Sequence, residues 1–103
     1  MSYSRGDIYW ADVKYEDIDV IETRPILIWS ETEMFCVSFK ITSTNRGNEG
    51  SECQLLDWHE EGLRNPSSVR LDHIINISKS KIKDKIGTLT YADMFRVQNK
   101  LAR

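Results

Sequence analysis

Between Met34 and Thr42 the chain reads MFCVSFKIT, and the apolar side chains Phe35, Val37, Phe39 and Ile41 fall on every second residue. Only an extended strand places such a set on one face. The same period recurs from Asp7 to Val13, with Ile8 and Trp10 on one face and Tyr9, Ala11 and Val13 on the other. Apolar residues on both faces mean that this strand is covered twice or curls inside a small barrel. Pro25 to Ser30, PILIWS, reads as a further strand, with proline at its first position, where a missing N–H does least harm.

Turn signals separate these runs. Lys14 to Thr23 is a polar connection carrying Glu16, Asp17, Asp19 and Glu22, expected to be a flap or a binding loop. Glu31 to Glu33 is a turn, and Ser43 to Gly50, STNRGNEG, a loop. Glu52 to Trp58 reads as a fourth strand, followed by the turn region HEEGLRNPS. Ser68 to Asp72 is a fifth, and Ile74 to Ile77 a sixth or its continuation. Ser80 is expected to cap a short helix running through Ile82 and Ile86 and stopped by Gly87. Thr90 caps the last helix, with Asp93 completing the weaker form of a capping box and Leu89 stapled to Met94. Ala92, Phe95 and Leu101 supply its apolar stripe. The expected fold is mainly β: a small closed or half-closed barrel of short antiparallel strands, followed by one or two helices.

The 103 residues are expected to form one domain, 1–103, which pairing with a second copy would help to stabilise. Hydrophobic residues make up 40% and charged residues 29%, which excludes a disordered chain. A formal charge of -2 argues against a broad polyanion-binding surface, but not against a local cluster of arginines. Lys79, Lys81, Lys83 and Lys85 read as a solvated face. Cys36 and Cys53 are expected to be free thiols, and His59 and His73 do not complete a zinc set with them. With neither a secretion signal nor a membrane-spanning run in view, a cytoplasmic location is the expectation.

Candidate functional residues stand where polar groups adjoin apolar strands. Arg24 precedes Pro25, Thr42 and Ser43 end the ITS segment, and Arg70 and Asp72 share one face of their strand. Taken singly, each has a plain reading: a solvated strand start, turn formers, and a surface ion pair worth little. Trp10, Trp29 and Trp58 read as core or interface residues.

In order along the chain, RGDIYWADV from Arg5, TRPILIWS from Thr23, ITS from Ile41, PSSVRLDHIINISKSKI from Pro66 and KIGTLTYADMFRV from Lys85 resemble the MazF/PemK family. These are the toxins of bacterial toxin–antitoxin modules. The resemblance spans nearly the whole chain. It implies an SH3-like barrel of five to seven strands, a homodimer, cleavage of single-stranded RNA without a cofactor or metal, and inhibition by a cognate antitoxin seated in the substrate groove. It implies that Arg24 and Thr42 are a functional pair, and that Arg70 and Asp72 act as in one branch of the family. Asp72 is then the candidate base and Arg70 a clamp or the acid, with Ser43, Lys40 and His73 as RNA contacts. Tyr15 or Trp58 would stack on bases. The segment VIET, before Arg24, lacks the glycines that many relatives carry there. That departure and the acidic loop leave open a second reading, a non-enzymatic module of the same fold that binds a protein or nucleic acid through the same groove.

Overall fold

The first alternating run forms β1 (Asp7–Lys14), which pairs antiparallel with β2 (Ile21–Glu31) from Ile8 opposite Leu27 to Lys14 opposite Ile21. The computed structural model describes residues 2–14, 20–43 and 51–102. β3 (Phe35–Thr42) pairs with β2, and β5 (Ser68–Ser78) with β3. Short β4 (Glu52–Gln54) edges β5, and β6 (Ile82–Thr88) edges β1. The described residues thus make one six-stranded sheet in the order β4-β5-β3-β2-β1-β6, closed at its C-terminal end by helix α1 (Tyr91–Leu101).

Both faces of the sheet are apolar. One face gathers Ile8, Leu27, Phe39, Ile41, Cys53 and Val69 with Leu89 and Val97 of the helical end. The other gathers Tyr9, Ala11, Ile26, Ile28, Cys36 and Ile77 with Ile82. The second cluster draws on β5 and on β6, so the sheet curls until its two ends share a core. It remains a curled open sheet: its outer strands, β4 and β6, do not pair with each other. Of the closed or half-closed barrel expected, the described residues give the mainly β sheet and its C-terminal helix, with the sheet left unclosed. A ladder is what closes a barrel, and no ladder joins β4 to β6 among the described residues.

Several local expectations change. β2 begins at Ile21, so Pro25 lies inside the strand. It is tolerated because Ile21 to Pro25 pair with β1 alone, and the ladder to β3 starts only at Ile26. The expected fourth strand stops at Gln54, and the residues up to Trp58 belong to a turn. The fifth and sixth strands are one element. Ile74 to Ile77 thus continues the fifth strand, as one of the two expected readings had it, across a bulge near His73, since Phe39 faces Ile74 while Lys40 faces Arg70. The expected helix through Ile82 and Ile86 is instead β6, preceded by a single 3-10 turn at Lys79–Lys81. Ile82 and Ile86 pack into different clusters because the register of β1 against β6 shifts twice.

Helix α1 has the expected Thr90 cap, whose side chain accepts from the Asp93 N–H. Leu89 and Met94 join the same cluster, as a staple requires. The inward face is different from the expected one. Asp93 and Val97 are buried, while Phe95 and Leu101 are exposed. Asp93 sets this rotation: its carboxylate accepts from the Leu56 and Asp57 N–H groups at 3.1 and 2.9 Å. From the same helix, Arg96 and Lys100 donate to the carbonyls of Gln54 and Glu52 at 3.1 and 2.5 Å. Cys36 and Cys53 are buried free thiols, and burial raises both above the usual thiol range. No helix among the described residues is long and apolar enough to cross a membrane.

Candidate active site

Where the ladder between β2 and β3 ends, the strands open a groove of about 460 Å³. Continuing the Ile26–Lys40 register by two residues along each strand brings Arg24 opposite Thr42. The sheet side of the groove carries Trp10, Arg24, Pro25, Lys40, Thr42 and Ser43. The facing side is a loop carrying Gly62, Leu63, Arg64, Asn65 and Ser67. Proline is suited to this opening, because a residue without an N–H has no bond to offer the missing partner strand.

Arg24 is half-exposed and its Nη2 contacts the Glu22 carboxylate, two residues back on the same side of β2. Lys40 faces Ile26 on one side and Arg70 on the other. Thr42 faces Ser68. The groove thus brings together Arg24, Lys40, Thr42 and Ser43 from the sequence-derived set.

Arg70 and Asp72 lie next to this group without lining it. Arg70 is only 7% exposed, and its Nη2 donates to the Asp72 carboxylate at 3.1 Å. Across β5 the row continues to buried Glu52, which faces Arg70 in the β4–β5 ladder. Nε of Arg70 and Oε2 of Glu52 have no hydrogen-bond partner. Desolvation works to raise the Asp72 carboxyl. The Arg70 hydrogen bond, its own backbone N–H and the charges of Arg70 and His73 outweigh it and hold the group below the usual carboxylate value. His73 is exposed within the bulge. Tyr15 lies outside the described residues. Trp58 is half-buried against the first core cluster, edge-on to His59 with ring centroids 5.7 Å apart.

Sequence reasoning missed the loop wall and Trp10. Trp10, read as a core or interface residue, faces Pro25 and lines the groove. The signal for the loop was present but unspecific: an arginine and an asparagine just before Pro66, immediately upstream of the strand that carries Arg70.

The family profile described as PemK-like, MazF-like toxin of type II toxin-antitoxin system matches residues 4–103. No curated protein matches the sequence. Among solved structures, an endoribonuclease in complex with its cognate antitoxin from a mycobacterial species is similar with a TM-score of 0.79 and 24% identity, covering 98% of this chain and 92% of that one. The Mycobacterium tuberculosis toxin MazF-mt6 is similar with a TM-score of 0.77 and 22% identity, covering 93% and 92%. A further mycobacterial endoribonuclease reaches 0.73 and 23%, covering 95% and 86%. At these identities the likeness of the structures is one of fold.

Proposed function

We propose, from the premise that this chain belongs to the PemK-like, MazF-like toxins of type II toxin–antitoxin systems, that it is an endoribonuclease that cuts single-stranded RNA selectively and is neutralised by a cognate antitoxin. The observation that carries this reading is the groove itself, where Arg24, Lys40 and Thr42 line one opening at the end of two strands.

The chemistry follows from those groups. The 2′-hydroxyl of one nucleotide attacks the adjacent phosphorus, and the bond to the departing 5′-oxygen breaks. A base takes the hydroxyl proton and an acid supplies one to the leaving oxygen. The products are a 2′,3′-cyclic phosphate and a 5′-hydroxyl, and no cofactor enters the scheme. Arg24 clamps the phosphoryl oxygens, where negative charge grows, and its planar fork offers paired donors. An arriving phosphate takes the place of Glu22 on that guanidinium. Thr42 donates its hydroxyl to phosphate, and Lys40 and Ser43 add contacts. Trp10 offers a stacking face for a base.

Asp72 is ionised at neutral pH and serves as the candidate base. Arg70 holds it in place and adds positive potential. A guanidinium is too weak an acid to donate its proton directly. His73 and Tyr15 are further RNA contacts in this scheme, and the working unit is a homodimer, in the cytoplasm.

The test is incubation of the purified protein with mixed single-stranded RNA in chelator, followed by mapping of the ends. Cuts at a limited set of sequences bearing cyclic phosphates, lost in Arg24→Ala, are expected. A second reading, a non-enzymatic module binding through the same groove, draws on the pairing of Arg24 with Glu22. RNA bound but left intact by the folded protein would decide for that module.

A further inference from the structure

The loop wall of the groove is anchored far more firmly than a surface loop needs to be. Its first part is a single helical turn. Glu61 N–H donates to the Asp57 carbonyl, Gly62 N–H to His59 and Leu63 N–H to Trp58, at 3.0, 3.1 and 3.0 Å. The last two bonds, with Gly62 at φ +93, form a Schellman closure. Its usual apolar contact is present too, since Leu63 and Trp58 pack in one cluster.

A buried polar knot ties this turn to helix α1. The Thr90 N–H donates to Glu61 Oε2 at 2.9 Å, and the Thr90 hydroxyl donates to Asp57 Oδ2 at 2.6 Å. Asp93 takes the N–H groups of Leu56 and Asp57. The turn also meets β6 backbone to backbone, because a Cβ on Gly87 would lie 2.1 Å from the Glu61 carbonyl oxygen. At the far end, Leu55 N–H donates to the Ser67 carbonyl at 2.9 Å and the Ser67 hydroxyl to the Asn65 carbonyl at 2.7 Å.

Between these anchors stand Arg64 and Asn65, both exposed and both on the groove. The backbone that carries a cation and an amide is thereby anchored on the side of the groove opposite Arg24 and Lys40. We propose that Arg64 and Asn65 are specificity-determining residues that grip the RNA strand from the side opposite the phosphate clamp, Arg64 on a flanking phosphate and Asn65 on a base edge. The inference rests on the endoribonuclease reading. Unpaired bases of single-stranded RNA expose their Watson–Crick edges, and a side-chain amide carries both a donor and an acceptor to meet one. An anchored backbone favours selectivity, because it limits how far the amide can move to suit a wrong base. Glu61, Thr90 and Asp93 are positioning residues in this account.

The test uses randomised single-stranded RNA with end mapping, and steady-state cleavage of one preferred substrate at several salt concentrations. Wild type, Arg64→Ala and Asn65→Ala are compared, with melting curves to verify folding. Asn65→Ala is expected to relax the preference at one position of the cut site by about tenfold. Arg64→Ala is expected to raise KM about tenfold, more than it lowers kcat, and to reduce the slope of log KM against log salt by about 0.7, the value for one single-strand phosphate contact. If wild type leaves all RNA intact, the enzymatic reading fails. If wild type cuts and both folded variants keep the same KM, salt slope and sequence preference, the loop-wall inference alone is overturned.

Discussion

Two groups of buried charged and polar side chains can be set side by side. In the knot of Asp57, Glu61, Thr90 and Asp93, Asp93 is 0% and Glu61 1% exposed, and most acceptors are filled by backbone N–H groups or a hydroxyl. In the row of Lys40, Arg70, Glu52 and Asp72, the Asp72 side chain is 42% exposed. There, Arg70 Nε and Glu52 Oε2 lack partners, and in the knot Glu61 Oε1 does too. The first group spends buried polarity on holding two segments together. The second keeps a charge poised beside solvent with bonding capacity in reserve. An element that must present a fixed surface resembles the first, and one that must exchange partners during a reaction resembles the second.

The sharpest way to break this contrast is Arg24→Ala. Cleavage is expected to fall by about 10²–10³ with a melting temperature within about 2 °C of wild type, as for other surface changes. A large loss of stability would show that the groove is structural after all. Asp93→Ala should do the reverse in kind. It leaves two backbone N–H groups without an acceptor and is expected to cost about 3 kcal/mol, read as a fall of roughly 12–24 °C in the melting temperature.

Glu61→Gln separates the charge of the knot from its hydrogen bonds. Burial pushes the Glu61 carboxyl up to about 8. The Thr90 N–H works in the opposite sense, and the Asp93 and Asp57 carboxylates add to the rise. The ordinary glutamate value of 4.5 stands for the unfolded chain, so Glu61's contribution is fully favourable below that pH and is lost as pH rises towards 8. The glutamine variant is therefore expected to melt with wild type near pH 4.5 and above it by about 4–8 °C near pH 8, for each kcal/mol that the ionised group costs. Equal melting at both pH values would place the carboxyl in a wetter setting than its burial implies. The smallest expected effect is that of Glu52→Gln on the second grouping. With the neighbouring carboxylate made neutral, Asp72 should titrate lower by NMR. An unchanged midpoint would detach Glu52 from the row.

The parts of the fold legible in the sequence are those where a local pattern and the tertiary packing agree. β1, β3 and the Thr90 cap of α1 are of this kind. Ile82 and Ile86 misled because their spacing of four suits a helix, while only pairing to β1 across two register shifts decides for a strand. The helix face misled for a different reason. Apolar spacing proposes a rotation, but Asp93 fixes another by reaching two N–H groups that lie 37 and 36 residues earlier. At the site, Arg24 and Thr42 could be marked because each ends or begins an apolar run. Arg64 and Asn65 carry no such mark, since their place depends on the Schellman turn and its tether.

The tether also reaches the margin of the sheet. β4 is three residues long, and the carbonyls of Glu52 and Gln54 receive donors from Lys100 and Arg96. A strand edge with free carbonyls is a template for another chain. This one is already occupied by the protein's own helix, and the opposite edge, β6, displays Lys83, Asp84 and Lys85. Fibril growth and domain exchange by strand addition are thus hindered along β4 and β6, whereas the stretch of β5 beyond Leu71 has only β3 as a ladder partner among the described residues.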